Sequence, residues 1–102
     1  MKKRRINIEL QHFDGCPNSP KLIERVKEAI KLSNAEIQYN EVLVESNEKA
    51  REVGFRGSPT LLINGKDFED LPVPESPALM CRYYPQGLPT VEQIKKALDL
   101  YN

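Results

Sequence analysis

The residues best suited to chemistry are Cys16 and Cys81, the two cysteines among 102 residues. Cys16 lies among the turn-forming residues of segment 14–18. A strand-like segment leads into this turn and a helical pattern leads out of it, which predicts a thiol at or near a helix N-terminus. Unpaired N–H groups and the helix dipole there favour the thiolate. Cys16 is therefore predicted to be an exposed, reactive thiol, in preference to a small buried apolar residue.

Two prolines leave the start of this helix open, because proline suits the first helical turn. If Pro17 is the first helical residue, Cys16 is the cap and experiences the full dipole. If Pro20 is first, with Ser19 as the cap, Cys16 lies in the preceding loop and the effect is weaker. Asp14 opposes thiolate formation if it lies close in space.

Cys81 has two equally weighted interpretations, a structural cysteine or a functional one. The neighbouring Arg82 can stabilise a thiolate. If the loop after the fourth strand folds back over the first helix, Cys81 meets Cys16. In the entropic model, a disulfide between them would reduce the entropy of the unfolded chain and so stabilise the folded protein by roughly 4 kcal/mol. In a reducing compartment such a bond is expected to cycle.

His12 precedes Cys16 by four residues at the predicted strand end. An extended strand spans about 3.3 Å per residue. The spacing therefore places His12 too far from the thiol to activate it unless the turn folds back, and a structural role is favoured.

Composition narrows the classes of partner. Fifteen basic and fifteen acidic residues leave no net charge, which argues against nucleic acid or membrane as a bulk electrostatic partner. The basic run at 2–5 is interpreted as a solvated terminus. No apolar signal-peptide core follows it and no run is long enough to span a bilayer, so a cytoplasmic protein is predicted.

One histidine and two cysteines exclude a four-ligand Cys/His zinc site, and no cofactor or metal is expected.

The elements that must position the cysteines follow from hydrophobic periodicity. One domain over residues 1–102 is predicted from the length. A phase slip between Tyr39 and Val42 indicates a bulge or an edge position in the second strand. The predicted elements are a strand at 5–13, a helix from 19 to about 32, a strand at 36–44, a helix at 46–53, a strand at 61–63, an Asn64-Gly65 hairpin turn, a strand at 66–69, an ambiguous segment at 78–84, and a helix at 90–101.

The helical crossover makes the first two strands parallel, and the hairpin makes the last two antiparallel. The prediction is an α/β fold in three layers, with a four-stranded mixed sheet, helices on both faces and element order βαβαββα.

This order, with Gly15-Cys16-Pro17 after the first strand and Ser58-Pro59-Thr60 before the third, resembles the thioredoxin fold. The resemblance implies that Cys16 is the nucleophile, that Ser19 stands in the place of a resolving cysteine, and that Pro59 is the cis-proline opposite. Ser58, Pro59, Thr60 and Ser19 are then the expected substrate-binding residues, with the backbone of Ser58 offering an edge to an extended substrate. Two departures are the lack of cysteine at position 19 and the lack of tryptophan before Cys16.

Three functions are compatible with these residues. The first is thiol–disulfide oxidoreduction, in which Cys16 attacks a protein disulfide or a glutathione-type mixed disulfide and Cys81 or an external thiol resolves the intermediate. The second is binding of a soft metal or an organomercurial by both thiols, since small thioredoxin-like proteins with similar motifs have been linked by name to organomercurial lyases. The third is a non-catalytic module that binds a partner through the edge at Pro59.

Overall fold

The structure, a computed structural model, describes residues 5–101. Residues 1–4 and 102, which include most of the basic run and both ends of the predicted domain, lie outside the described residues. The elements are β1 (Arg5–His12), α1 (Asn18–Leu32), β2 (Glu36–Leu43), α2 (Asn47–Val53), β3 (Thr60–Ile63), β4 (Lys66–Asp67) and α3 (Val91–Tyr101). The predicted order βαβαββα is confirmed.

The four strands form one mixed sheet in the order β2-β1-β3-β4. β1 and β2 are parallel, while β3 runs antiparallel to both β1 and β4. β2 therefore lies at an edge of the sheet. Its pairing with β1 is continuous from Arg5–Glu36 to His12–Leu43, so the edge position explains the phase slip and no bulge interrupts the strand.

The main core lies on one face of the sheet, between β1, β3, α1 and α3. Alternation along β1 turns Ile6, Ile8 and Leu10 to this face, where all three are fully buried. On the other face, the side-chain amide of Gln11 donates a hydrogen bond to the carbonyl of Val53 at 3.2 Å. That contact places the end of α2 against the opposite face, so helices cover both sides of the sheet as predicted.

Local sequence signals set several boundaries as expected. The Ser46 side chain caps α2 by accepting the Lys49 N–H, and Gly54 ends this helix with φ +64°. Asn64 and Gly65 both have positive φ, as a type I′ hairpin turn requires.

β4 is shorter than the predicted strand at 66–69. The carboxylate of Asp67 accepts the N–H groups of Glu69 and Leu71 at 2.9 and 3.0 Å. These bonds fold the chain back on itself after two paired residues, in the manner of an aspartate-initiated turn. No helix within residues 5–101 has the length and apolar character needed to cross a membrane.

Candidate functional site

Cys16 lies in the turn between β1 and α1, immediately before the helix. Pro17 already has helical dihedrals, φ −60° and ψ −25°, and Asn18 is the first residue of α1. Because Pro20 has no N–H to offer the Cys16 carbonyl, the N–H of Ser19 bonds it instead at 3.1 Å. The arrangement is nearer to the Pro17 alternative, and it places Cys16 where the helix dipole acts on its sulfur.

Cys16 and Cys81 form a disulfide, with their Cα atoms 5.8 Å apart. The structure thus brings together the two predicted site cysteines, which are 65 positions apart in sequence. It also corrects one expectation, because Cys16 is only 4% exposed whereas Cys81 is exposed. Cys16 is buried in the disulfide-bonded protein, because its sulfur is bonded to Cys81 instead of facing solvent.

Cys81 is carried by an extended segment, residues 79–84, which we call the strap. The Ser58 N–H donates to the Met80 carbonyl at 2.8 Å, and the Arg82 N–H donates to the Ser58 carbonyl at 2.9 Å. Ser58 and Cys81 therefore pair as in a parallel ladder. The backbone edge expected to receive an extended substrate is filled by the chain itself.

A buried ion pair anchors the strap beyond Cys81. The Arg82 guanidinium donates two hydrogen bonds to the Asp67 carboxylate, at 2.7 and 2.9 Å, and both side chains are at most 5% exposed. Burial alone would raise the pKa of Asp67, but the bonds from Arg82 and from the N–H groups of Leu71 and Glu69 hold that pKa below its usual value. Both charges therefore persist at neutral pH.

Two further contacts hold the strap. The Tyr84 hydroxyl donates to the Pro59 carbonyl, and the Tyr84 ring lies 4.7 Å from the guanidinium carbon of Arg82. Burial raises the pKa of Tyr84 well above its usual value, so the phenol keeps the proton that it donates. Gly57, with φ +101°, lets the strap approach, since a Cβ there would lie 2.8 Å from the Cβ of Arg82.

The four residues expected to bind substrate lie together beside the disulfide, and all four are buried. The Ser58–Pro59 peptide bond is cis. The hydroxyls of Ser19 and Ser58 share a hydrogen bond of 2.6 Å, and the Phe13 N–H donates to the Ser58 hydroxyl at 3.0 Å. The Thr60 hydroxyl donates to the Gly57 carbonyl. Their side chains thus tie the turn before α1 to the loop before β3, and their substrate-binding role stays a prediction.

A cavity of about 420 Å³ adjoins Cys16 on the side of β1 and α1. Its apolar lining comes from Phe13, Pro20 and Ile23, and its charged lining includes Glu24 and Lys27. His12 also lines it and lies 3.9 Å from the Glu41 carboxylate, a contact in keeping with the structural role that the sequence favours.

Sequence reasoning missed two of the residues that hold the strap, Gly57 and Asp67. The sequence suggested that Arg82 stabilises a thiolate at Cys81, whereas its guanidinium donates hydrogen bonds to the Asp67 carboxylate. No local pattern signals the pairing of Arg82 with Asp67, because an aspartate in a hairpin and an arginine in a proline-rich segment are ordinarily exposed.

A family model described as a thioredoxin domain matches residues 4–68. No curated protein and no solved structure matches the chain. The match includes Cys16 and Pro59, and it ends before the strap and Cys81. The second half of the disulfide thus lies in a part of the chain that the family model does not describe.

Gly57→Ala tests the close approach of the strap. The new Cβ would clash with the Cβ and backbone of Arg82 in addition to straining a positive φ. We expect a loss of about 2–5 kcal/mol in the free energy of unfolding, made of about 1–2 for the left-handed backbone and 1–3 for overpacking. Gly15→Ala is the matched control, since Gly15 has φ +105° and open space around the new Cβ. Equal losses in urea titrations of the two variants would contradict the close contact.

Asp67→Asn tests the buried ion pair, because it leaves the Arg82 charge buried without its partner. We expect a loss of about 3–5 kcal/mol at pH 7. The lowered pKa of Asp67 means that its contribution is complete above the usual aspartate value of about 3.9 and is lost as the pH falls through the folded-state value. The difference from wild type should therefore shrink in urea titrations at progressively lower pH below about 4.

Asp70→Asn is the control for the ion pair, since the Asp70 side chain is 73% exposed and pairs with Lys66 at the surface. It should change stability by less than about 0.5 kcal/mol. If the free energy of unfolding of wild type exceeds that of Asp67→Asn by the same amount down to pH 2, the charge of the Asp67 carboxylate is not what stabilises the fold.

Proposed function

The chain belongs to the thioredoxin domain family, and we propose that it is a thiol–disulfide oxidoreductase that cycles between the Cys16–Cys81 disulfide and the corresponding dithiol. The observation that carries the proposal is the disulfide itself, which joins the cysteine at the start of α1 to one on the strap. Because the Cys81 sulfur is already bonded to Cys16, the proposed cycle does not need a resolving cysteine at position 19. The proposed cycle takes place in the cytoplasm, where thiol pools can reduce such a bond.

The reaction balances as two thiol–disulfide exchanges. In the reduced protein, the Cys16 thiolate attacks one sulfur of a substrate disulfide, forming a mixed disulfide and releasing the first substrate thiolate, which takes a proton from solvent. The Cys81 thiolate then attacks the Cys16 sulfur, forming the Cys16–Cys81 bond and releasing the second thiolate. Two electrons pass from the protein dithiol to the substrate disulfide. An external dithiol returns the protein to its reduced form by the reverse exchanges.

Each cysteine has a position suited to its step. Cys16 precedes the first turn of α1, where N–H groups and the helix dipole lower the pKa of a thiol. Cys81 lies between Met80 and Arg82, whose backbone groups both bond Ser58. The resolving sulfur is therefore held beside the nucleophile by backbone pairing.

A second candidate is favoured by the same proximity. On reduction, the two sulfurs remain side by side and can bind one soft ion such as Cu(I), and by the same reasoning Hg(II) or an organomercurial. Residues 5–101 contain no group of three or more Cys, His, Asp and Glu placed to hold a metal, so such an ion would depend on the two sulfurs. The hypothesis of a partner-binding module gains no comparable support, because the Ser58 edge that it requires is filled by the strap.

Cysteine variants test the oxidoreductase assignment. With glutathione disulfide, reduced Cys81→Ser should accumulate a stable adduct of one glutathione at Cys16, because the resolving thiol is absent. Reduced Cys16→Ser should form its adduct at least tenfold more slowly, because Cys81 does not precede a helix. Intact-mass spectrometry after acid quenching measures both. Wild type should form no lasting adduct and should return to the disulfide.

Leu100→Ser, an exposed change on α3, is the control and should behave as wild type. Equal rates for the two cysteine variants would contradict the assignment of Cys16 as nucleophile. An adduct that persists in wild type would contradict the role of Cys81.

Mercury binding tests the second candidate. Reduced wild type should bind one Hg(II) with both thiols consumed, as counted with a thiol reagent, and should retain it against a competing monothiol. Cys81→Ser should lose the ion at least tenfold more readily, because one sulfur remains. Retention that does not change in Cys81→Ser would exclude the two-sulfur site.

A further inference from the structure

We propose that the substrates are small disulfides and thiols of zwitterionic character, which reach Cys16 through the cavity beside α1, and that extended polypeptides are excluded. This inference rests on the proposed oxidoreductase function and specifies its substrate class. It follows from where the strap lies and from what the strap leaves open.

The strap fills the position that an extended peptide would need. Peptides that add to a sheet edge bind through backbone hydrogen bonds. At Ser58 both backbone groups are already used, the N–H by Met80 and the carbonyl by Arg82, at 2.8 and 2.9 Å. A polypeptide substrate would have to displace the strap before it could pair there.

The strap is held by contacts that do not depend on the disulfide. Arg82 makes two bonds to buried Asp67, and Tyr84 bonds the Pro59 carbonyl; none of these bonds involves a sulfur atom. Gly57 packs directly against Arg82. Reduction of one covalent bond leaves all of these in place, so the Ser58 edge remains filled in both redox states.

The open approach to Cys16 is the adjoining cavity. Its volume of about 420 Å³ lies within the range of about 300–1,000 Å³ typical of small-molecule sites. Phe13, Pro20 and Ile23 offer apolar contact, and the charged lining consists of the carboxylates of Asp14 and Glu24 and the ammonium of Lys27, which also lies 3.5 Å from a carboxylate oxygen of Glu41. That combination suits half of a small zwitterionic disulfide, with its ammonium and carboxylate groups near opposite charges.

The exchange then proceeds with the small disulfide in the cavity. The Cys16 thiolate attacks its nearer sulfur, and the outer half leaves as a thiolate that solvent protonates. Cys81, still paired with Ser58 on the other side, attacks the Cys16 sulfur and expels the inner half into the cavity. One substrate disulfide becomes two thiols, and the protein dithiol becomes the disulfide.

A comparison of two substrates tests the substrate class. Reduced protein is given glutathione disulfide and, separately, an unstructured twelve-residue peptide whose two cysteines form one disulfide within the peptide. We expect the second-order rate constant for oxidation of the protein dithiol to be at least tenfold higher for glutathione disulfide. Ile23→Trp, which fills the cavity, should lower the rate with glutathione disulfide at least fivefold. Ile30→Trp, at a partly buried isoleucine two turns along the same helix, should lower it less than twofold. Preference for the peptide, or equal effects of the two tryptophans, would overturn the proposal.

Amide hydrogen exchange tests the strap without any catalysis. The N–H groups of Ser58 and Arg82 should stay protected in the reduced protein, within tenfold of the oxidised one. Exchange of these amides at the rate of exposed groups upon reduction would show that the edge opens, and would overturn the exclusion of polypeptides even if the cysteines react as proposed. A different result would reject the oxidoreductase function and the substrate class together. In that case the two amides stay protected, but the thiols of the reduced protein react with neither glutathione disulfide nor the peptide disulfide.

Discussion

The buried ion pair between Arg82 and Asp67 is the contact on which the site depends. Two charges removed from water must each be fully bonded or the fold is penalised by several kcal/mol. Asp67 meets this demand with two bonds from Arg82 and two from backbone N–H groups. The same carboxylate therefore ends β4 and fixes the strap, so the hairpin and Cys81 are positioned by one side chain.

The site is assembled from two kinds of structure. The sheet supplies the turn before α1 and the loop before β3, which the hydroxyls of Ser19 and Ser58 hold together. The strap supplies Cys81 and lies in a segment without helices, held by the side chains of Arg82 and Tyr84 and by backbone pairing. A serine at position 19 is thus compatible with a two-sulfur site, because its hydroxyl has a structural partner and the second sulfur arrives from another part of the chain.

Local patterns in the sequence predict most of the fold. Alternation in β1, the apolar stripe of α1, the Ser46 cap and the Asn64-Gly65 turn each depend on neighbours a few residues apart, and each appears in the structure. The site was predicted in part, since a cysteine between a strand and a helix can be recognised from the same local signals. The burial of Cys16 and the pairing of Arg82 with Asp67 could not be predicted, because both depend on the path of a proline-rich segment that has no periodicity to read.

The pairing of Ser58 with both neighbours of Cys81 also sets the relation between folding and oxidation. In an unfolded chain, the two sulfurs would have to meet across 65 positions at an entropic cost. In the folded chain, the backbone on both sides of Cys81 is held by Ser58, so each thiol is at a high effective concentration relative to the other. Formation of the bond then costs little additional conformational entropy. By thermodynamic reciprocity, the fold favours the disulfide by the same free energy with which the disulfide favours the fold. The stability of the disulfide is thus tied to the tertiary structure, and unfolding would make the same bond easier to reduce.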